Sequence, residues 1–209
     1  TTISLSGVLG DNGWFTSDIT VTLSTTDDTE VDKTEYSFDN ATWTLYTTPF
    51  TVTNEGNTVV YYHSTDKAGN PETVKTKTIK IDKTVPSGSI TVNNGASYAT
   101  STSVTLTLTS VDATSGVYKV RFSNDDTWDT EPWENSSSTK TWALPYGDGT
   151  KTVYYQIKDN AGLISSIYSG TIMLDTTLPI GSIIINGNAT YTITTTVTLT
   201  LSATDATSG

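Results

Sequence analysis

The chain has 209 residues, no cysteine and a net charge of −11 at pH 7, with 34% hydrophobic and only 16% charged residues. The acidic balance excludes a polyphosphate partner, since nucleic-acid binding needs Lys and Arg to displace counterions, and the missing cysteines exclude disulfides, thiol chemistry and Cys metal sites. No apolar run approaches the roughly 18 residues of a membrane helix, and the sequence opens on Thr-Thr-Ile, so an export signal or anchor is expected outside it.

In chain order, the first strand is expected at Thr1 to Gly7 and the second at Ile19-Thr-Val-Thr-Leu23, where apolar residues alternate with Thr. A period of two means a strand with one buried face. Tyr36, Phe38, Trp43 and Trp14 are expected in the core that this face helps to form. Val60-Tyr-Tyr62 precedes the turn Asp66-Lys-Ala-Gly69. The same landmark returns as Val153-Tyr-Tyr155 before Asp159-Asn-Ala-Gly162, an offset of 159 − 66 = 93 residues.

Asp82 to Gly116 is likewise repeated as Asp175 to Gly209, with 20 of the 35 aligned residues identical and the same offset, 175 − 82 = 93. Tandem units of this length are too long for helical or leucine-rich solenoids and match one β-sandwich of about 100 residues. Residues 1–81 form the first unit, 82–174 the second, and 175–209 supply the first two strands of a third, near Ile183 to Ile185 and Val197 to Leu201. The offset between the earlier landmarks Asp27 and Asp112 is only 85, so the second unit carries about 93 − 85 = 8 extra residues after Asn124. Seven strands are expected in it, near 87–93, 102–111, 117–123, 128–134, 138–144, 151–158 and 166–174. Antiparallel strands at this spacing, with Gly, Asn and Asp at the turns, give an all-β fold of sandwich type.

The run Thr34-Glu-Tyr-Ser-Phe38, Trp43, Tyr46-Thr-Thr-Pro-Phe50, Tyr61-Tyr62, Asp66-Lys-Ala-Gly-Asn70 and Ile81-Asp-Lys-Thr-Val-Pro86 resembles the immunoglobulin-like (fibronectin-like) repeats of exported bacterial and archaeal cell-surface proteins. The second unit is similar to a related variety, through Val120-Arg-Phe-Ser-Asn124, Trp128, Trp133 and Gly147-Asp-Gly-Thr-Lys-Thr-Val153. The resemblance implies tandem immunoglobulin-like β-sandwiches in an extracellular protein. Such repeats serve mostly as stalks, wall or filament units and accessory modules, so fold alone names no activity.

Four groups of residues are candidates for a site. In a sandwich of this type the loops after the second and sixth strands meet the entering chain at one pole, which directs Asp112 and Asp159 toward Asp82 at the junction. Three carboxylates there suit calcium, which takes six to eight oxygens. Alternatively each aspartate caps its own turn through backbone N–H groups, with Pro86 fixing the linker. Trp128 and Trp133 suit either sugar stacking or a core of large rings. Asn40-Ala-Thr42, Asn135-Ser-Ser137 and Asn188-Ala-Thr190 are acceptor triplets for glycans. His63 follows Tyr62 and by alternation points outward, and no nucleophile turn of the Gly-x-Ser-x-Gly kind accompanies it. No catalytic residues are assigned and a non-enzymatic role is expected.

The first two strands of the third unit present open edges that invite another strand. The expected partners are therefore neighbouring repeats or copies of the same chain, added head to tail, with surface glycans as the alternative. Calcium is the one cofactor the sequence suggests.

Overall fold

The computed structural model describes residues 1–28 and 30–208; Thr29 and Gly209, the last residue of the second Asp-Ala-Thr-Ser-Gly run, lie outside it. The first unit contains β1 (Thr2–Ser6), β2 (Ile19–Ser24), β3 (Val31–Ser37), β4 (Thr44–Leu45), β5 (Phe50–Val52), β6 (Gly56–Asp66) and β7 (Lys75–Ile81). They form two facing sheets, β1-β2-β5 and β4-β3-β6-β7. The Thr-spaced alternation of β2 turns Ile19, Val21 and Leu23 inward, where they meet Val60, Tyr62, Ile79 and Ile81 from the opposite sheet. Burial of this face provides the main drive for pairing the layers.

The second unit contains β8 (Ser87–Val92), β9 (Tyr98–Ala99), β10 (Ser103–Val111), β11 (Val117–Ser123), β12 (Thr139–Ala143), β13 (Gly149–Asp159) and β14 (Tyr168–Leu174). Its sheets are β12-β10-β8 and β11-β13-β14-β9. Apart from β4 and β9, which have no strand counterpart in the other unit, this is the plan of the first unit, an immunoglobulin-like sandwich of mainly antiparallel sheets. Its core is a separate cluster, with Val104, Leu106 and Leu108 of β10 facing Val120, Phe122, Val153, Tyr155 and Ile157. Tyr155 is fully buried and its hydroxyl donates to the Thr109 carbonyl at 3.3 Å, tying the two sheets together.

Both units also share a parallel contact by which the chain crosses between sheets. In the second unit β9 pairs with the end of β14, Tyr98 opposite Met173 and Ala99 opposite Leu174. In the first a single parallel bridge joins Phe15 to Ile81. The backbone bonds correspond: Asp82 N donates to Phe15 O at 2.9 Å, and Asp175 N to Ala99 O at 2.9 Å.

Three local expectations fail. Residues 128–134 form no strand; only Glu134 bridges Val120, through N–H···O bonds of 2.8 and 2.9 Å. Pro132 lacks a donor for a ladder, and the Trp side chains on either side of it are drawn to Arg121 instead. Phe38 is not core: it is 52% exposed and meets Tyr36 and Phe50 in T-shaped contacts. Tyr98–Ala99, too short to show any period, is a strand that alternation does not reveal. His63 lies on the outer face of its sheet as expected, and Trp43, expected in the core, instead covers it there.

In the third unit β15 (Ile180–Ile185) and β16 (Leu199–Thr204) pair antiparallel, Ile183 opposite Leu201 and Ile185 opposite Leu199. The second strand starts two residues later than the alternation of Val197 indicates. No helix of the described residues is long and apolar enough to cross a membrane.

Candidate functional site

The loop after β10, the turn after β13 and the segment after β7 converge at the pole between the two sandwiches. They bring one carboxylate oxygen from each of Asp82, Asp112 and Asp159 within 4.8 Å of one another. Asp82 and Asp159 are fully buried and Asp112 is half-buried.

Each of the three also holds its own turn. Asp112 Oδ1 accepts the backbone N–H groups of Thr114 (3.2 Å), Ser115 (2.9 Å) and Gly116 (2.7 Å). Asp82 Oδ1 accepts Thr84 N at 3.1 Å, and its Oδ2 accepts Ser115 N at 3.2 Å, a bond that reaches from the linker into the loop after β10. Asp159 Oδ1 accepts Leu163 N at 2.9 Å. Its other oxygen, Oδ2, is buried and has no hydrogen-bond partner.

Burial, reinforced by the charges of Asp82 and Asp112, pushes the Asp159 carboxyl up to about 6. Among the described residues no ion pair reaches any of the three. The two lysines adjacent to them in sequence are committed elsewhere, Lys158 to Asp11 of the first sandwich at 2.6 Å and Lys83 to Asp18 at 2.7 Å.

That ion pair belongs to a set of direct bonds across the junction. The loop Leu9 to Trp14 of the first sandwich rests on the turn 159–162 of the second. Asp11 N donates to the Ala161 carbonyl at 2.8 Å and Asn12 Nδ2 to the Asn160 carbonyl at 3.0 Å. The approach is close enough to need glycines: a Cβ on Gly10 would lie 2.3 Å from the Ala161 carbonyl, and one on Gly162, at φ +93°, 2.9 Å from the Asp11 carboxylate. A carboxylate of the first sandwich clasps the linker itself: Lys83 N and Thr84 Oγ1 both donate to Glu55, at 2.6 and 3.0 Å. The same device follows the second sandwich, where Thr176 N donates to Asp148 Oδ1 at 2.8 Å and the Thr177 hydroxyl to Asp148 Oδ2. Hydrogen bonds from the Thr177 and Thr176 side chains hold the Asp148 carboxyl below its usual range.

Trp128 and Trp133 are both half-buried and share one partner. The Arg121 guanidinium carbon stands 4.4 Å from the centre of the Trp128 ring and 4.5 Å from that of Trp133. Arg121 is held in turn by Gln156, whose Oε1 accepts from Nε at 3.0 Å and Nη2 at 2.6 Å. This cation–π contact organises the extra segment of the second sandwich without a regular strand.

His63 is covered by Trp43, ring centres 4.4 Å apart, with Glu35 Oε2 at 3.7 Å from its Nε2. The sequence period gave its face correctly but not the ring that lies over it. The three glycan acceptors are exposed: Asn40 at a turn with φ 59°, Asn188 with φ 65°, and Asn135, whose side-chain oxygen accepts from Lys119 Nζ at 2.7 Å.

No protein-family model matches the sequence, and no curated protein matches it. Among solved structures, the fibronectin(III)-like modules of Clostridium thermocellum CbhA align with a TM-score of 0.41 and 17% identity over 83% of this chain and 94% of that one. The D00-D0 domain of Intimin aligns at 0.37 and 14%, covering 83% of this chain and 100% of that one. The BSP domain of a biofilm associated protein aligns at 0.26 and 11%, covering 85% of this chain and 30% of that one. At scores this low the assignment of the fold rests on the strand pairing described above.

Proposed function

We propose that the chain is a non-enzymatic spacer segment of an extracellular cell-surface protein, a stalk, surface-layer or filament unit whose task is to hold distance. The sandwich borders are placed at 82 and 175. The observation that carries this reading is the junction. Two independent cores are joined through a linker clasped by Glu55 and a turn that bonds directly to the preceding sandwich. A flexible tether needs none of these bonds, whereas a strut must resist bending at each joint. The export reading draws on the resemblance of the repeat motifs to those of surface proteins.

The cysteine-free chain allows a direct test by spin labelling. Labels on Leu45→Cys and Tyr118→Cys, exposed positions on different sandwiches, are expected to give one narrow distance distribution by electron double resonance. A broad distribution would reject the strut.

The third unit extends the reading. Ile183, Ile185, Leu199 and Leu201 are 51–70% exposed, while their counterparts Ile90, Val92, Leu106 and Leu108 in the second sandwich are at most 7% exposed. This apolar face fits a second sheet like that of β11, β13 and β14, supplied by the same polypeptide or by a neighbouring copy. Donation by a copy does not close on itself and therefore builds a head-to-tail filament. Light scattering after size exclusion separates the two: a 22.4 kDa particle means no exchange between copies, and a ladder of multiples means a filament. The alternative of glycan stacking on Trp128 and Trp133 gains no support from rings that each turn a face to Arg121.

A further inference from the structure

We propose that Asp82, Asp112 and Asp159 bind one calcium ion, which joins the linker to the loop after β10 and the turn after β13. The inference goes beyond the spacer reading and stands without it.

Turn capping accounts for only part of the cluster. It occupies Oδ1 of all three residues but leaves Asp159 Oδ2 buried without a donor. The first sandwich shows what a self-sufficient turn looks like. There the equivalent residue, Asp66, spends both oxygens on Asn70, accepting its N–H at 2.8 Å and its side-chain amide at 2.9 Å. In the second sandwich the residue at that place is Leu163, which offers the N–H and no side-chain donor. The second oxygen of Asp159 is thereby left without a donor, in a carboxyl group that stands beside those of Asp82 and Asp112. A buried acceptor left in this state costs free energy unless something positive meets it.

The donor set selects the ion. All three side chains offer oxygen, with neither nitrogen nor sulfur, which favours a hard cation over zinc or copper. Two oxygens on one calcium at about 2.3–2.6 Å lie up to about 5 Å apart, whereas magnesium demands near-ideal octahedral geometry and usually keeps several of its waters. The three oxygens lie within 4.8 Å of one another, inside the calcium limit. Water and backbone carbonyls complete such a shell.

Titration of the 209-residue chain, stripped with EDTA, with calcium chloride alone tests the site. One equivalent is expected to bind by calorimetry, and saturating calcium is expected to raise the melting temperature by at least about 4–8 °C. Asp159→Asn keeps the shape of the side chain and removes its charge. It is expected to lose the calcium response while melting no lower than the parent in EDTA, because it relieves an uncompensated buried charge. Should Asp159→Asn melt lower, Asp112→Asn, at the more exposed ligand, carries the comparison and is expected to weaken calcium binding at least tenfold. The absence of binding heat and of any melting shift in the parent, or an undiminished response in both variants, would overturn the site. Neither result would touch the direct bonds of the junction, so the spin-label distances distinguish a failed calcium site from a failed strut.

Discussion

Asp159 differs from an ordinary turn aspartate by its setting, and the consequence can be read with pH. Its carboxyl titrates near 6 in the folded chain against 3.8 for the free side chain, through burial first and then the charges of Asp82 and Asp112. The folded state therefore holds a proton that the unfolded state releases between about pH 4 and 6, so in EDTA this residue makes stability fall as pH rises through that window and adds no slope above it. Asp159→Asn is expected to remove that component from a series of denaturant melts; an unchanged pH slope would contradict the assigned environment. Tyr155→Phe is expected to cost about 1 kcal/mol, the order of a hydrogen bond, because the hydroxyl's bond to Thr109 is lost while the ring stays packed. Leu106→Ala, at a fully buried position between the sheets, is expected to cost about 2–5 kcal/mol. The convergence of Asp82, Asp112 and Asp159 was legible from residue order and sandwich topology alone. The orphaned oxygen was not, since it depends on what stands at position 163 and on how deeply the turn is covered.

At the scale of elements, the alternation in β2 and β10 was readable because Thr marks every outward position over five residues. The segment 128–134 was misread for the opposite reason. Its Trp residues suggested a strand by composition, but their partner, Arg121, lies in another strand, and no local period records a contact of that range. Arg121→Met is expected to free this segment. Amide exchange should quicken at Val120 and Glu134, which bond each other there, and remain slow in the middle of β13; equal protection in both places would contradict a clamp by Arg121. The meeting of the loop Leu9–Trp14 with the turn 159–162 was equally invisible in the sequence, because it joins two units that each fold around a separate core. Gly10→Ala isolates that meeting: the added methyl group points at the Ala161 carbonyl, 2.3 Å away, and enters neither core. The variant is expected to keep the melting behaviour of each sandwich and to broaden the spin-label distances between them.

For the whole molecule, repetition was the most informative feature of the sequence, and the structure gives it a physical meaning. Like sandwiches follow one another, each linker starts from an aspartate bonded to the preceding crossover segment, and each is clasped by an acid from the sandwich before it, Glu55 in one case and Asp148 in the other. The clasp at one joint is thus repeated at the next. Stiffness at the joint is the central claim, and residual dipolar couplings of backbone amides in the full chain test it most directly. The account predicts that one alignment tensor fits β1 to β7 and β8 to β14 together; two tensors of different magnitude and direction would contradict it.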